Sequence, residues 1–204
     1  MKYDLLLADP PWSFKTRGKS TSGRTPDEHY PCLTHDQLIE LGVLIEPMLK
    51  TNAALFLWCP YRSTPAALDV MEAWGFVFKT EAWVWVKKSK RDFHQIAMGL
   101  GYYTRNVSEI CWLGVRGQML VQDKGVPAYI ESHRLEYSQK PTLQYEYIER
   151  LYPRRKFRNR LELFATPSGY GSRFAHHWDA LGDEIDGKDI FEALLDMKDG
   201  KEKS

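Results

Sequence analysis

The sequence predicts an α/β fold, a sheet whose strands alternate with helices. Three observations predict it. Apolar runs of strand length recur along the chain, the first being Leu5-Leu6-Leu7-Ala8. Between them lie stretches with apolar residues at helical spacing, opened by capping residues and closed by Gly or Pro. The chain has 204 residues, 43% of them hydrophobic and 27% charged, which suits one soluble domain with a substantial core.

Each element has its own signal. Residues 3–8, apolar apart from Asp4, read as a short strand. Residues 13–29 are polar and rich in Gly, Ser, Thr and Arg, which makes them a long loop, and loops of that length tend to be functional. Thr34 and Gln37 form a capping box, and the helix that follows carries Leu38, Ile39, Leu41, Leu44, Ile45 and Met48 on one broad face. A strand over 53–58 ends before Pro60. Thr64 caps the next helix, with Pro65 at its first position and Gly75 as its stop. Residues 76–86 and 107–115 read as strands around an irregular segment, 88–105. Residues 117–137 suggest a short hairpin. Pro141 starts a helix to about Tyr152, 160–165 is β-like, 167–172 is a loop, and a helix is expected through His177 and Leu181. One domain is expected over 1–187, with 13–29 and 88–105 as substrate loops. A C-terminal helix and frayed tail are expected over 188–204.

Composition excludes several classes. A net charge of +1 advertises no polyanion partner, so local clusters matter more. Lys15, Arg17, Lys19 and Arg24 form one cluster, and Lys87, Lys88, Lys90 and Arg91 another; both are candidates to touch phosphate, solvated faces being the alternative. Arg150, Arg154, Arg155, Lys156, Arg158 and Arg160 read instead as a solvated loop. Seven Trp and eleven Tyr are more rings than packing usually needs, and such rings grip bases. Cys32, Cys59 and Cys111 are widely spaced and odd in number, which implies no disulfide framework and a reducing, cytoplasmic setting. No His or Cys group has metal-ligand spacing, so no metal is expected. No leader and no apolar run of membrane-spanning length is apparent.

Chemistry concentrates where the first strand ends. Asp9, Pro10, Pro11 and Trp12 follow the apolar run directly. The two prolines have fixed φ and no N–H, so the chain there is a stiff elbow that cannot continue as a strand. It carries a carboxylate, acceptor carbonyls and a large ring. That set suits a flat base with an exocyclic amino group: Asp9 and the Pro10 carbonyl accept its N–H bonds and Trp12 stacks on it. Further along, Leu161-Glu162-Leu163-Phe164-Ala165 leads into a Gly/Ser loop, a strand–loop–helix unit that reads by itself as an ordinary βα connection, the alternative being a ligand loop beyond a strand's carboxyl end. Asp183 and Glu184 are placed to accept ribose hydroxyls, a solvated acidic turn being the alternative. Lys140 precedes a helix, against the macrodipole's preference, and so invites an anionic partner.

Taken in order, Asp-Pro-Pro-Trp, His-Tyr-Pro, Leu-Phe-Leu-Trp, Lys-Pro, Ile-Glu-Arg-Leu, Glu-Leu-Phe-Ala and Trp-Asp-x-x-Gly resemble the MT-A70 family of N6-adenine methyltransferases, and in particular its small bacterial or phage-like members. The resemblance runs from about Tyr3 to Gly187. It implies a Rossmann-like sheet flanked by helices, with the catalytic motif preceding the cofactor loop, and S-adenosylmethionine as cofactor. It implies Asp9, Pro10, Pro11 and Trp12 as catalytic residues. Tyr30 and Glu109 would bind substrate, joined by Lys15 and Arg17. Ala8, Asp9, Lys140, Phe164, Thr166, Ser168, Asp183 and Glu184 would bind the cofactor, Lys140 through its methionine carboxylate. Thr166 stands where the family often has Arg, Tyr137 where it often has His, and Asp183 where it has Asn. The implied reaction is methyl transfer to adenine N6 in nucleic acid, DNA ahead of RNA. A catalytically inactive partner subunit and an N4-cytosine enzyme are the alternatives, and a homo- or heterodimer is open.

Overall fold

A computed structural model describes residues 1–13, 32–99, 101, 103–135, 139–167 and 175–200. Seven strands form one sheet: β1 (Tyr3–Ala8), β2 (Leu49–Cys59), β3 (Val77–Lys88), β4 (Ser108–Arg116), β5 (Tyr129–His133), β6 (Arg160–Leu163) and β7 (Asp179–Leu181). Their spatial order is β5-β3-β4-β2-β1-β6-β7. β1 pairs in parallel with both β2 and β6, β6 with β7, and β3 with β5. β4 is antiparallel to both its neighbours, so it alone runs against the rest. The sheet and its flanking helices are consistent with the Rossmann-like methyltransferase fold that the resemblance implies.

The helices are α1 (His35–Glu40), α2 (Gly42–Ile45), α3 (Thr64–Ala73), α4 (Leu143–Leu151), α5 (Asp183–Asp186) and α6 (Ile190–Lys198). Thr34 and Gln37 do form the capping box that opens α1. The single amphipathic helix expected after it is instead α1, α2 and a 3-10 turn. Gly42 sits where the path changes: a Cβ there would lie 2.4 Å from the Ala73 carbonyl oxygen, so only glycine allows α2 to approach the end of α3 this closely.

Strand alternation divides the core into two layers. Leu6, Ala8, Leu55 and Leu57 face a core shared with Leu38, Ile45, Val70 and Leu194 from α1, α2, α3 and α6. Leu5, Leu7, Phe56, Trp58, Trp83 and Trp85 face the other way, onto Tyr145 and Ile148 of α4 and Trp178. The sheet is thus buried on both faces, as its apolar strands require.

Three expectations are corrected. The hairpin over 117–137 is a single edge strand, β5, paired with β3. The helix through Leu181 is a 3-10 turn at Ala175–His177 followed by β7. Arg160 is not on a solvated loop. It pairs with Leu5 of β1, is 1% exposed, and donates to Glu149 at 2.7 Å and the Tyr152 carbonyl at 2.8 Å. Among the described residues no helix is long and apolar enough to cross a membrane, and no three metal-ligating side chains cluster.

Candidate active site

The sheet topology selects one crevice. From β1 the chain moves to β2 on one side, while β6 lies on the other, so the ends of β1 and β6 flank a topological switch point. Ligands in open α/β sheets bind there, beyond the strands' carboxyl ends. Asp9 follows β1, Phe164 follows β6 and Asp183 lies two residues past the end of β7. At about 4.8 Å between strands, these three ends span roughly 10 Å.

The elbow after β1 is rigid as expected. The Trp12 amide donates to the Pro10 carbonyl at 2.9 Å, and Leu33 donates to the Pro11 carbonyl at 2.9 Å. Trp12 and Leu33 also form an isolated parallel bridge. The Pro10 oxygen keeps a second lone pair for another donor. Trp12 has a different place from the one expected. It is 6% exposed, packs in the core, and donates its indole N–H to the Trp58 carbonyl at 2.9 Å. In this arrangement the ring braces the elbow against β2 and does not offer an open stacking face.

A row of four alternating charges lies in front of the elbow: Lys87, Glu109, Lys140, Asp9. Lys140 Nζ donates to Asp9 Oδ2 and lies 3.2 Å from Glu109 Oε2. Lys87 Nζ donates to Glu109 Oε1. Asp9, Lys87 and Glu109 come from one face of the sheet. Asp9 continues the alternation of Leu5 and Leu7, Lys87 that of Trp83 and Trp85, and Glu109 that of Cys111 and Leu113. Lys140 enters from the turn before α4, 5.7 Å above the Trp58 ring. Trp58 in turn donates to Gln144 of α4 at 2.8 Å. The lysine, the elbow and α4 are therefore all tied to one tryptophan.

Burial and neighbours set the charges. Burial and the nearby Glu109 anion push the Asp9 carboxyl above the usual range, against the pull of Lys140. Burial would also raise Glu109, but Lys140 and Lys87 together hold it at about 2. Lys140 is held above the usual lysine range, because two carboxylates outweigh its burial. Asp9 is the most open member, with its side chain 30% exposed against 7% for Lys140 and 16% for Glu109. Its Oδ1 makes no hydrogen bond among the described residues.

The expected site residues thus separate. Asp9, Glu109 and Lys140 meet directly, but Lys140 meets two protein carboxylates where a ligand carboxylate was expected. Ala8 is fully buried between Leu57 and Leu163, so only its backbone reaches the crevice. Phe164 has φ +60, a strained left-handed conformation for a bulky residue, at the turn where β6 ends. Thr166 is half-buried just beyond it, and Asp183 and Glu184 are exposed at the start of α5. Tyr30, Lys15, Arg17 and Ser168 lie outside the described residues, as do Lys19, Arg24 and Tyr137. Lys87 and Lys88, expected on phosphate, are engaged by Glu109 and Glu131.

Sequence reasoning missed Lys87 and Gln144 as builders of the site. It also passed over Glu162, whose only signal is an acid inside an apolar strand. Glu162 pairs with Leu7 and so shares the face of Asp9; both its oxygens lie 2.9 Å from the Tyr145 hydroxyl, which donates to it. Beside Lys87 opens a cavity of about 130 Å³, lined by Asn106, Ser108 and Arg134 among others.

The MT-A70 family model matches residues 3–184. A probable N(6)-adenosine-methyltransferase MT-A70-like protein of Oryza sativa subsp. japonica is 27% identical over 91% of this chain and 23% of its own length. The N(6)-adenosine-methyltransferase MT-A70-like protein of Arabidopsis thaliana is also 27% identical, over 24% of its length. The chain therefore spans about a quarter of these plant relatives. The type II methyltransferase M.MunI of Mycoplasma sp is 25% identical, over 90% of this chain and 78% of its own. With the match running from β1 to α5, through the elbow and every strand of the sheet, the chain belongs to the MT-A70 family.

Proposed function

We propose that this protein is a cytoplasmic enzyme that methylates the N6 amino group of adenine in nucleic acid, DNA before RNA, using S-adenosylmethionine. The observation that carries the proposal is the Asp9 carboxylate. It stands at the switch point, held by Lys140 through one oxygen, with the other oxygen unbonded among the described residues and the side chain partly open. The DNA preference rests on the likeness to the type II methyltransferase M.MunI.

The residues present fit the cofactor. Asp183 and Glu184 are exposed acceptors for a ribose diol, two strands from Asp9. The close contact of Gly182 with the Ala165 backbone keeps the β6 and β7 ends side by side. The charge row is balanced, and Glu162 adds an acid on the same face, which suits a cationic ligand. Bound S-adenosylmethionine supplies an electrophilic methyl group on a sulfonium sulfur.

This chain's own residues handle the amino group. The adenine N6 lone pair is delocalised into the ring, so the nitrogen is a poor nucleophile. Asp9 Oδ1 and the Pro10 carbonyl accept its two N–H bonds and favour a pyramidal nitrogen with a localised lone pair. Asp9 also takes the proton that the alkylated nitrogen sheds, and a carboxyl raised above its usual range is a better base for that task. Trp12 and Trp58 hold the elbow still, so orientation is fixed before substrate arrives. A duplex base must be swung out to reach the crevice.

The test is direct. The protein is incubated with labelled S-adenosylmethionine and unmodified DNA or RNA, and the modified nucleoside is identified by mass spectrometry. N6-methyladenine in DNA is the expected product. Asp9→Ala should abolish transfer, by at least about 100-fold, while calorimetry still shows cofactor binding. Near-normal turnover by that variant, or N4-methylcytosine as product, would overturn the proposal.

A further inference from the structure

Lys87 stands outside the group of residues that would touch either substrate, yet its charge is tied to theirs. Its backbone is pinned on both sides: its amide donates to the Val107 carbonyl at 3.0 Å, and its carbonyl accepts from Ala97 at 2.7 Å. Its ammonium lies 4.7 Å over the Trp85 ring, and Trp85 is itself fixed by a 2.8 Å hydrogen bond to Ser132. The lysine is therefore held onto Glu109 Oε1, while Glu109 Oε2 faces Lys140.

The charge count explains why this matters. Two lysines and two carboxylates balance. Without Lys87, the ammonium of Lys140 is the one left between two carboxylates among the described residues. Two anions sharing one cation in low dielectric do not both stay ionised. Glu109 is the more enclosed acid and Asp9 the more open one, already disposed to hold a proton. A protonated Asp9 loses the anionic acceptor and the base that the proposed chemistry needs.

We infer that Lys87 is a positioning residue for methyl transfer: by neutralising Glu109 from the far side, it lets Lys140 keep the Asp9 carboxylate ionised. This rests on the function proposed above. Among the described residues, the other titratable groups that feel the Asp9 charge are Glu162 on β6, Cys59 on β2 and Cys111 on β4. Burial pushes Cys59 up to about 12 and Cys111 well above its ordinary value, so both thiols stay neutral in the working range. Glu162 titrates near 7, so a Glu162→Gln background serves as control.

The experiment measures kcat and KM against pH for the full chain, as wild type, Lys87→Met and Lys87→Arg, each also in the Glu162→Gln background. For Lys87→Met the acidic limb of the kcat profile should move up by about one pH unit. Activity should then fall on the acidic side of the profile, by at most about tenfold, and converge on wild type as pH rises past the limb. KM for S-adenosylmethionine should stay within about twofold, and Lys87→Arg should restore the profile. A loss of equal size at every pH would overturn the inference. So would a rise confined to the nucleic-acid KM with a shallower salt dependence, which would make Lys87 a phosphate contact.

A second readout does not need turnover. The Asp9 carboxyl, followed by 13C NMR, should titrate at higher pH in Lys87→Met than in wild type, with Lys87→Gln replacing Met if that variant does not fold. An unchanged Asp9 titration sinks the role of Lys87 even if the enzyme is active. Wild type inactive on every nucleic acid, with the NMR shift present, sinks the proposed function and leaves the charge linkage standing.

Discussion

Replacing Glu162 with glutamine should stabilise the protein above neutral pH and change little in acid. Glu162 is placed where a carboxylate costs most, on the α4 side of the sheet beside Leu7 and under Tyr145. Burial raises it from 4.5 to about 7. The Tyr145 hydrogen bond opposes the rise and the Asp9 charge adds to it. The sign follows from proton counts. Between 4.5 and about 7 the folded state holds this proton while the unfolded chain has released it, so stability falls as pH rises through that window. At about 1.4 kcal/mol per pH unit, the window amounts to roughly 3 kcal/mol, fully lost above it. Glutamine carries no charge and keeps an oxygen for the Tyr145 hydroxyl, so it removes the penalty and retains the bond. Urea unfolding, followed by tryptophan fluorescence at pH steps from 4.5 to 8.5, reads the difference. The variant and wild type should agree near pH 4.5 and diverge to about 2–3 kcal/mol at pH 8.5. A difference that does not change with pH, or a variant less stable than wild type in base, would refute the assignment of a buried, uncompensated acid.

Two further outcomes test the frame around the site. Arg160→Ala removes a side chain that is fully enclosed and bonded to Glu149, Tyr152 and Phe157, so urea unfolding should show a loss of about 3–5 kcal/mol. Gly182→Ala would place a Cβ 2.4 Å from the Ala165 carbonyl oxygen and 2.9 Å from its amide nitrogen, forcing the β6 and β7 ends apart. Calorimetry should show S-adenosylmethionine binding weakened about tenfold or more, since overpacking of this kind costs about 1–3 kcal/mol.

The elbow, β1 and most strands were legible because their signals are local. Two prolines after an apolar run stop a strand whatever surrounds them, and the Thr34–Gln37 capping box is complete within four residues. β5 was not legible because little in it but its place beside β3 makes it a strand. Only Ile130 of its five residues is buried, and its other residues read equally well as loop. β7 is three residues long, too short to show a period, and docking against β6 decides it. Arg160 looked like one more charge in a basic run until its pairing with Leu5 carried it inside. Lys87 and Trp12 failed for a related reason. Each has a partner far along the chain, Glu109 for one and the Trp58 carbonyl for the other, and composition at either end gives no sign of it.

The reversed strand is what makes the charge row possible. A crevice at the carboxyl ends of parallel strands receives side chains from the last residues of each strand. β4 runs the other way and brings its first residues to the same edge, so Glu109, second in β4, comes close to Lys87, next to last in β3. The register fixes the match: Trp85 opposes Glu109, and Lys87 is two residues on, so lysine and glutamate share a face and a diagonal. A slip of one residue between β3 and β4 would turn the lysine onto the other face of the sheet and leave Glu109 and Asp9 to compete for Lys140 alone. Two bulge-like shifts interrupt the β3–β4 ladder farther back, at Phe78–Thr80 and Glu81–Trp83, yet from Trp83 to Val86 the pairing is unbroken. The ladder is thus regular where chemistry depends on it and irregular where it does not. On this account the site is a property of strand register as much as of the four residues that announce it.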